Sequence, residues 1–197
     1  MLGLGASLLH GSSYITAGWS NTHSAYLDGA ADYLNTNSDP TLAFRGNFTV
    51  MGHFFLIDGQ PAAAQTLFGI DAGGAGTPDK VHCFVDTDGT VVFAHVSNGD
   101  AATTTTDAAV FVNGPTNVFV HIVVTVQRQG SGSGETLYKI YKDGAEVAST
   151  TANAMTGENH LLLDVSSSTL HFGAKGIGGN PPSTLMIGFL DELALFT

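Results

Sequence analysis

The side chains that could hydrolyse a bond or hold a metal are few and scattered in this 197-residue chain. Its glutamates are Glu135, Glu146, Glu158 and Glu192. A glycosidase needs two carboxyl groups about 5–5.5 Å apart for retention, or about 6.5–9.5 Å apart for inversion. Glu135 and Glu146 fall in or beside turns and Glu158 in a loop, and none of the four has an Asp or Glu two or five residues away. The pattern speaks against an enzyme. The segment DTDGT, with Asp86 and Asp88, echoes part of a calcium loop, whose ligands are oxygens at alternating positions. Asp-Gly between two β-rich runs is more simply a hairpin turn. His53, His82, His95, His121 and His171 lie in strand-like stretches with no i, i+2 pair to share a face, and they read as structural. Cys83, the single cysteine, sits in the apolar stretch KVHCFVD and reads as a small buried hydrophobe that permits no internal disulfide.

Whatever chemistry exists must be positioned by strands. No window shows apolar residues at i, i+3, i+4 and i+7 with helix caps. Short runs rich in Val, Ile, Phe, Tyr and Thr recur instead: FTVMGHFFLI, KVHCFVD, TVVFAHVS, NVFVHIVVTVQ, TLYKIYKD, AEVAST, TLHFGA and LMIGFLDELALF. Asp88-Gly89 and Asp143-Gly144 each separate two such runs and predict type I′ hairpins. Val118–Val126 is apolar at almost every position, which predicts a central strand covered on both faces. Many strands, tight hairpins and no helix mean a two-layer β-sandwich in one domain.

The charge balance excludes some partners. Six Lys and Arg against seventeen Asp and Glu give a net charge of −11, which repels nucleic acid and anionic lipid. No apolar run approaches the ~18 residues of a bilayer span, so membrane insertion is not expected. The first residues carry no Lys or Arg and are interrupted by glycine, a poor secretory signal.

Seven segments, in order, resemble the laminin-G-like group of the concanavalin A-like jelly rolls. YLDGAADYLNT is similar to the family's opening strand, FTVMGHFFL to the next, and FVDTDGTVVF to its D-G hairpin. VFVHIVVTV resembles the W-x-H strand, with Phe119 in place of Trp; LYKIYKDGAEVAST, LHFGAKGIGG and the closing IGFLDELALF follow. The resemblance runs from about Ala25 to Phe196. It implies an all-β, two-sheet antiparallel jelly-roll sandwich over residues 25–197, preceded by an extended N-terminal arm over residues 1–24. It also implies that the last strand lies beside the first. Asp191 is then the family's terminal-strand aspartate, accepting hydrogen bonds where the ends meet, with Glu192 turned to the opposite, solvent face. That pairing would bring Asp28, Asp32 and Asp191 together as a candidate calcium site; no other cofactor is implied. His121 occupies the family's core-proximal position. The Glu-x-Asp-x-x-Glu stripe of the superfamily's glucanases is missing.

Two features bear on partners. The only tryptophan, Trp19, precedes the sandwich, and Tyr26, Tyr33, Tyr138 and Tyr141 fall in strands and are expected to pack there. Glycan contact is then left to the Gly-, Asn- and Thr-rich loops Gly73–Pro78, Asn98–Asp107 and Gly176–Ser183. The arm is apolar and uncharged, and it offers Leu2, Leu4, Leu8, Leu9, Tyr14, Ile15 and Trp19 to a neighbouring subunit or scaffold. Together these features suggest a non-enzymatic virion structural protein, a capsid decoration or a tail- or fibre-associated protein, assembled in the host cytoplasm. Its partners would be capsid or tail subunits, a second copy, and a cell-surface glycan. A free bacterial carbohydrate-binding module is the alternative.

Overall fold

A computed structural model describes residues 23–35, 47–71, 80–97, 100–116, 118–129, 135–152, 169–177 and 180–196. Their strands, in chain order, are β1 (Ala25–Asp28), β2 (Leu34–Asn35), β3 (Phe48–Leu56), β4 (Gln65–Asp71), β5 (Lys80–Val85), β6 (Val91–Ser97) and β7 (Asp100–Thr105). Then come β8 (Val120–Gln129), β9 (Glu135–Lys142), β10 (Ala145–Ala152), β11 (Thr169–Phe172), β12 (Lys175–Ile177), β13 (Asn180–Ser183) and β14 (Ile187–Phe196). Two six-stranded antiparallel sheets form, one ordered β1-β14-β3-β8-β9-β10 and the other β2-β11-β4-β5-β6-β7, with β12-β13 as a separate hairpin. The first and last strands lie side by side, as the resemblance implies.

The pleat of each strand decides what is inside. In the first sheet β3 buries Phe48, Val50, Phe54 and Leu56, β8 buries Val120, Ile122, Val124 and Val126, and β9 buries Tyr138 and Ile140. They meet Leu67, Phe68, Val81, Cys83, Val91 and Phe93 of the other sheet in one core. Tyr138 keeps its hydroxyl partnered inside that core, 3.1 Å from Nδ1 of buried His95 on the facing sheet. The strand β8 is central, as its sequence predicts, yet it is not covered on both sides. His121, Val123 and Thr125 are only half-buried, because no further layer of described residues lies on the outside of this sheet.

Turn chemistry is partly as expected. Asp143 and Gly144 have φ of 49° and 84°, the two positive values that a type I′ turn needs. At the other hairpin only Gly89 has positive φ, at 83°, and its N–H donates to the Asp86 carbonyl over 2.9 Å. That is a three-residue loop in which a type I turn ends on a left-handed glycine, not a type I′ turn. The stretch Asn98–Asp107, expected as a loop, contains strand β7, and Gly176–Ser183 lies within the β12–β13 hairpin. Strand β4 (QTLFGID) had no counterpart among the expected strands.

On the second sheet, Thr66 Oγ1 lies 2.8 Å from Nε2 of His82 and 2.7 Å from Oγ1 of Thr184. Burial first, and the nearby Lys175 charge second, lower the His82 pKa to about 4. The folded protein therefore holds His82 neutral where the unfolded chain, near the ordinary value of about 6.5, takes up a proton. Stability is complete above about pH 6.5 and falls as pH drops toward 4, by roughly 3 kcal/mol at most. Denaturant unfolding between about pH 7.5 and about pH 4.5 should show this loss, and H82Q should have a shallower pH slope over the same window. An identical slope in the variant would remove His82 as the cause.

Candidate functional site

The outer side of the first sheet is ordered in rows, because antiparallel register puts cross-strand partners on one face. Tyr26 pairs with Phe189, and Phe189 with Phe55. Phe119 stands beside Phe55, just before β8. The ring centroids are 4.9 Å apart for Tyr26–Phe189, 5.8 Å for Phe189–Phe55 and 5.9 Å for Phe55–Phe119. This aromatic ladder crosses four strands at the end where β1 and β3 finish and β8 and β14 begin. Around it Tyr26 is 52% exposed, Phe119 38% and Val118 68%, and Ile57 and Ile187 are exposed too.

The next row is polar. Asp191 pairs with His53, and His53 with His121. The two imidazoles stack at 4.5 Å with 18° between their planes. Nδ1 of His53 lies 3.2 Å from Oε2 of Glu192. Burial, then the charge on His53, holds His121 below the ordinary imidazole value, against the pull of Asp143 and Glu192. The sequence spacing concealed this cluster, since the histidines are far apart along the chain and meet only through strand pairing.

Beyond it, Val123 pairs with Tyr141 and Met51 with Ala194; then Phe196, Thr49, Thr125 and Lys139 follow one another across four strands. Here a groove of ≈ 430 Å³ opens, lined by Asn47, Thr49, Thr125, Gln127, Tyr141 and Phe196 among others. Nζ of Lys139 donates to Oε2 of Glu146 over 2.7 Å, and this bond raises the lysine pKa.

A β-bulge in β14 between Asp191 and Ala194 corrects one expectation. Glu192 was to face away from Asp191. The bulge, with Glu192 at φ 49°, resets the alternation, so Glu192 reaches His53 on the same face that Asp191 shares with it. The Asp191 carboxylate accepts the Glu192 N–H at 2.8 Å. Asp28 and Asp191 do not meet. Asp28 lies opposite Ile187, roughly 13 Å along the strand from Asp191. The Asp28 carboxylate accepts the Ala30 N–H at 2.8 Å, and exposed Asp32 lies in the β1–β2 connection. Among the described residues no group of three His, Cys, Asp or Glu is placed to hold a metal.

The other expectations fall unevenly. Tyr138 is buried as expected, and Tyr33 packs on His171 with centroids 5.4 Å apart. Tyr26 is half in solvent and Tyr141 lines the groove, so two tyrosines expected to be packed are on the outer face. Cys83 is fully buried, which pushes its thiol pKa up and keeps it unreactive. Glu158, the loop Gly73–Pro78 and the arm residues Leu2, Leu4, Leu8, Leu9, Tyr14, Ile15 and Trp19 lie outside the described residues.

A sequence model of this sandwich matches residues 28–197. The chain belongs to the laminin G group of the concanavalin A-like lectin/glucanases superfamily. No curated protein matches its sequence. A carbohydrate-binding module, CBM40, of the Ruminococcus gnavus IT-sialidase, bound to α2,3-sialyllactose, superposes with a TM-score of 0.65. It is 14% identical, over 88% of this chain and 89% of the module. Domains LG4-5 of the mouse laminin α1 chain give 0.55 at 14% identity, over 87% of this chain and 41% of theirs. Tailspike protein 2 of bacteriophage CBA120 gives 0.53 at 13% identity, over 89% of this chain and 27% of the tailspike domain. At such identities the likeness is one of fold.

The bulge makes a stability prediction. Glu192 holds a left-handed backbone that costs a non-glycine residue about 1 kcal/mol, and its half-buried pair with His53 contributes about 1 kcal/mol. E192G should therefore leave the denaturant midpoint nearly unchanged, whereas E192V should lower stability by about 1–2 kcal/mol. Equal losses in both variants would show that the side chain, not the backbone, matters there.

Proposed function

We propose that this protein is a non-enzymatic structural and recognition component of a virion, a capsid decoration or tail- or fibre-associated protein. The exposed aromatic ladder is the observation that carries the reading. A contiguous apolar patch on an otherwise polar, acidic sandwich marks a contact surface, and isolated exposed apolar residues do not. The arm residues Leu2, Leu4, Leu8, Leu9, Tyr14, Ile15 and Trp19 supply an apolar, uncharged counterpart, suited to capsid or tail subunits or to a second copy. The sandwich in a phage tailspike and the sialyllactose held by CBM40 support, by fold alone, a viral setting and a glycan-facing role. The groove at the opposite end favours a second reading, a free bacterial carbohydrate-binding module.

Light scattering after size exclusion separates the two. On the assembly reading the full chain self-associates, while a chain starting at His23 is a folded monomer. V118D, at a position already in solvent, should also reduce the assembled mass without lowering the melting temperature. Monomers throughout would end the self-assembly reading and favour the free module.

A further inference from the structure

We infer that the groove between Phe196 and Tyr141 is a binding subsite for a neutral, hydroxyl-rich oligosaccharide. The inference rests on the glycan-contact part of the proposed function and holds whether the protein is assembled or free. Its grounds are three. It is an open depression of ≈ 430 Å³ on the face of a sheet whose strands fix the positions of its lining residues. Its lining mixes two aromatic rings with amides and hydroxyls: Phe196 is 49% exposed, Tyr141 is half-buried, and Asn47, Thr49, Thr125 and Gln127 lie between and around them. A sugar ring is amphipathic in the same way, with C–H faces that lie on aromatic rings and hydroxyl edges that exchange hydrogen bonds with amide and hydroxyl groups.

Charge selects the class of sugar. Among the described residues Lys139 is the one cation in the lining, and Glu146 already accepts from it at 2.7 Å. The chain carries a net charge of −11. A carboxylated or sulfated glycan would have to displace Glu146 and approach a negative protein, so anionic sugars are disfavoured and neutral ones are not. The CBM40 relative is bound to a sialylated, anionic ligand, so the predicted selectivity here is the opposite of what likeness of fold alone would suggest.

The experiment is calorimetric titration of the full chain with cellohexaose, laminarihexaose, mannohexaose and α2,3-sialyllactose, repeated with Y141A, F196A and Q127A. The expected result is binding of at least one neutral hexasaccharide and none of sialyllactose. Y141A and F196A should each weaken that binding about tenfold or more at unchanged melting temperature. Absence of binding by every neutral probe overturns the inference. So does affinity unaffected by Y141A and F196A, or tighter binding of sialyllactose. Light scattering of the same variants keeps the two proposals apart. Groove variants should leave the assembled mass unchanged, and sugar binding by a chain that proves monomeric would uphold the groove while removing the assembly role.

Discussion

The pleat of β3 and β8 is the constraint on which the rest of this molecule depends. Alternate side chains of a strand must leave on opposite faces, so burying Val50, Phe54, Ile122 and Val124 forces Met51, Phe55, Val123 and, just before β8, Phe119 outward. The inward set closes the core against Phe68, Cys83 and Phe93. The outward set is then fixed in rows, whatever its chemistry. That Phe, Tyr, Met and His occupy those rows, where Lys, Glu and Thr would satisfy the fold equally well, is the feature that folding alone does not require. Sheets with one solvated face usually show apolar residues in and polar residues out, and this sheet departs from that rule along its first four strands.

Four of the aspartates have a local structural role. Asp28 closes its turn on the Ala30 N–H, Asp58 accepts from Gln60 and Gly114, and Asp88 accepts from the Thr90 N–H and hydroxyl. Asp143 accepts from the His121 N–H at the end of the β8–β9 pair. Each carboxylate replaces a backbone acceptor that a tight turn cannot supply. The four Asp-Gly pairs are therefore turn devices. Three of them lie thirty residues apart in the sequence without any structural repeat behind the spacing.

Strands dense in β-branched and aromatic residues, such as β3, β8 and β9, were legible because their composition exceeds what a loop would carry. Strand β7 was not, because AATTT looks like a surface loop until pairing with Val92–Ser97 gives its threonines a place on the sheet. Strand β4 was hidden by its glycine and by apolar residues on both faces, which remove the alternation that marks a half-buried strand. The candidate site was least legible of all. Phe55, Phe119 and Phe189 each sit in a stretch that reads as core, and only register shows that they share the outer face. His53 and His121 meet across β3 and β8, a contact no local spacing encodes. The bulge at Asp191 inverted the facing of Glu192, since one irregular step in a period-two pattern reverses every inference beyond it.

That bulge also explains why an acidic pair interrupts an apolar terminal strand. β1 pairs with β14 only from Ile187 to Leu190, so beyond that point, among the described residues, the outer margin of β14 is a sheet edge. A long, flat, apolar edge invites another strand to pair with it. Asp191 and Glu192 stand where the cover of β1 ends, and the kink they create breaks the ladder where an added strand would begin. The aromatic ladder lies on the covered side of that point and the groove beyond it. The acidic pair thus lets the outer face of the sheet stay apolar while its edge is closed to strand pairing.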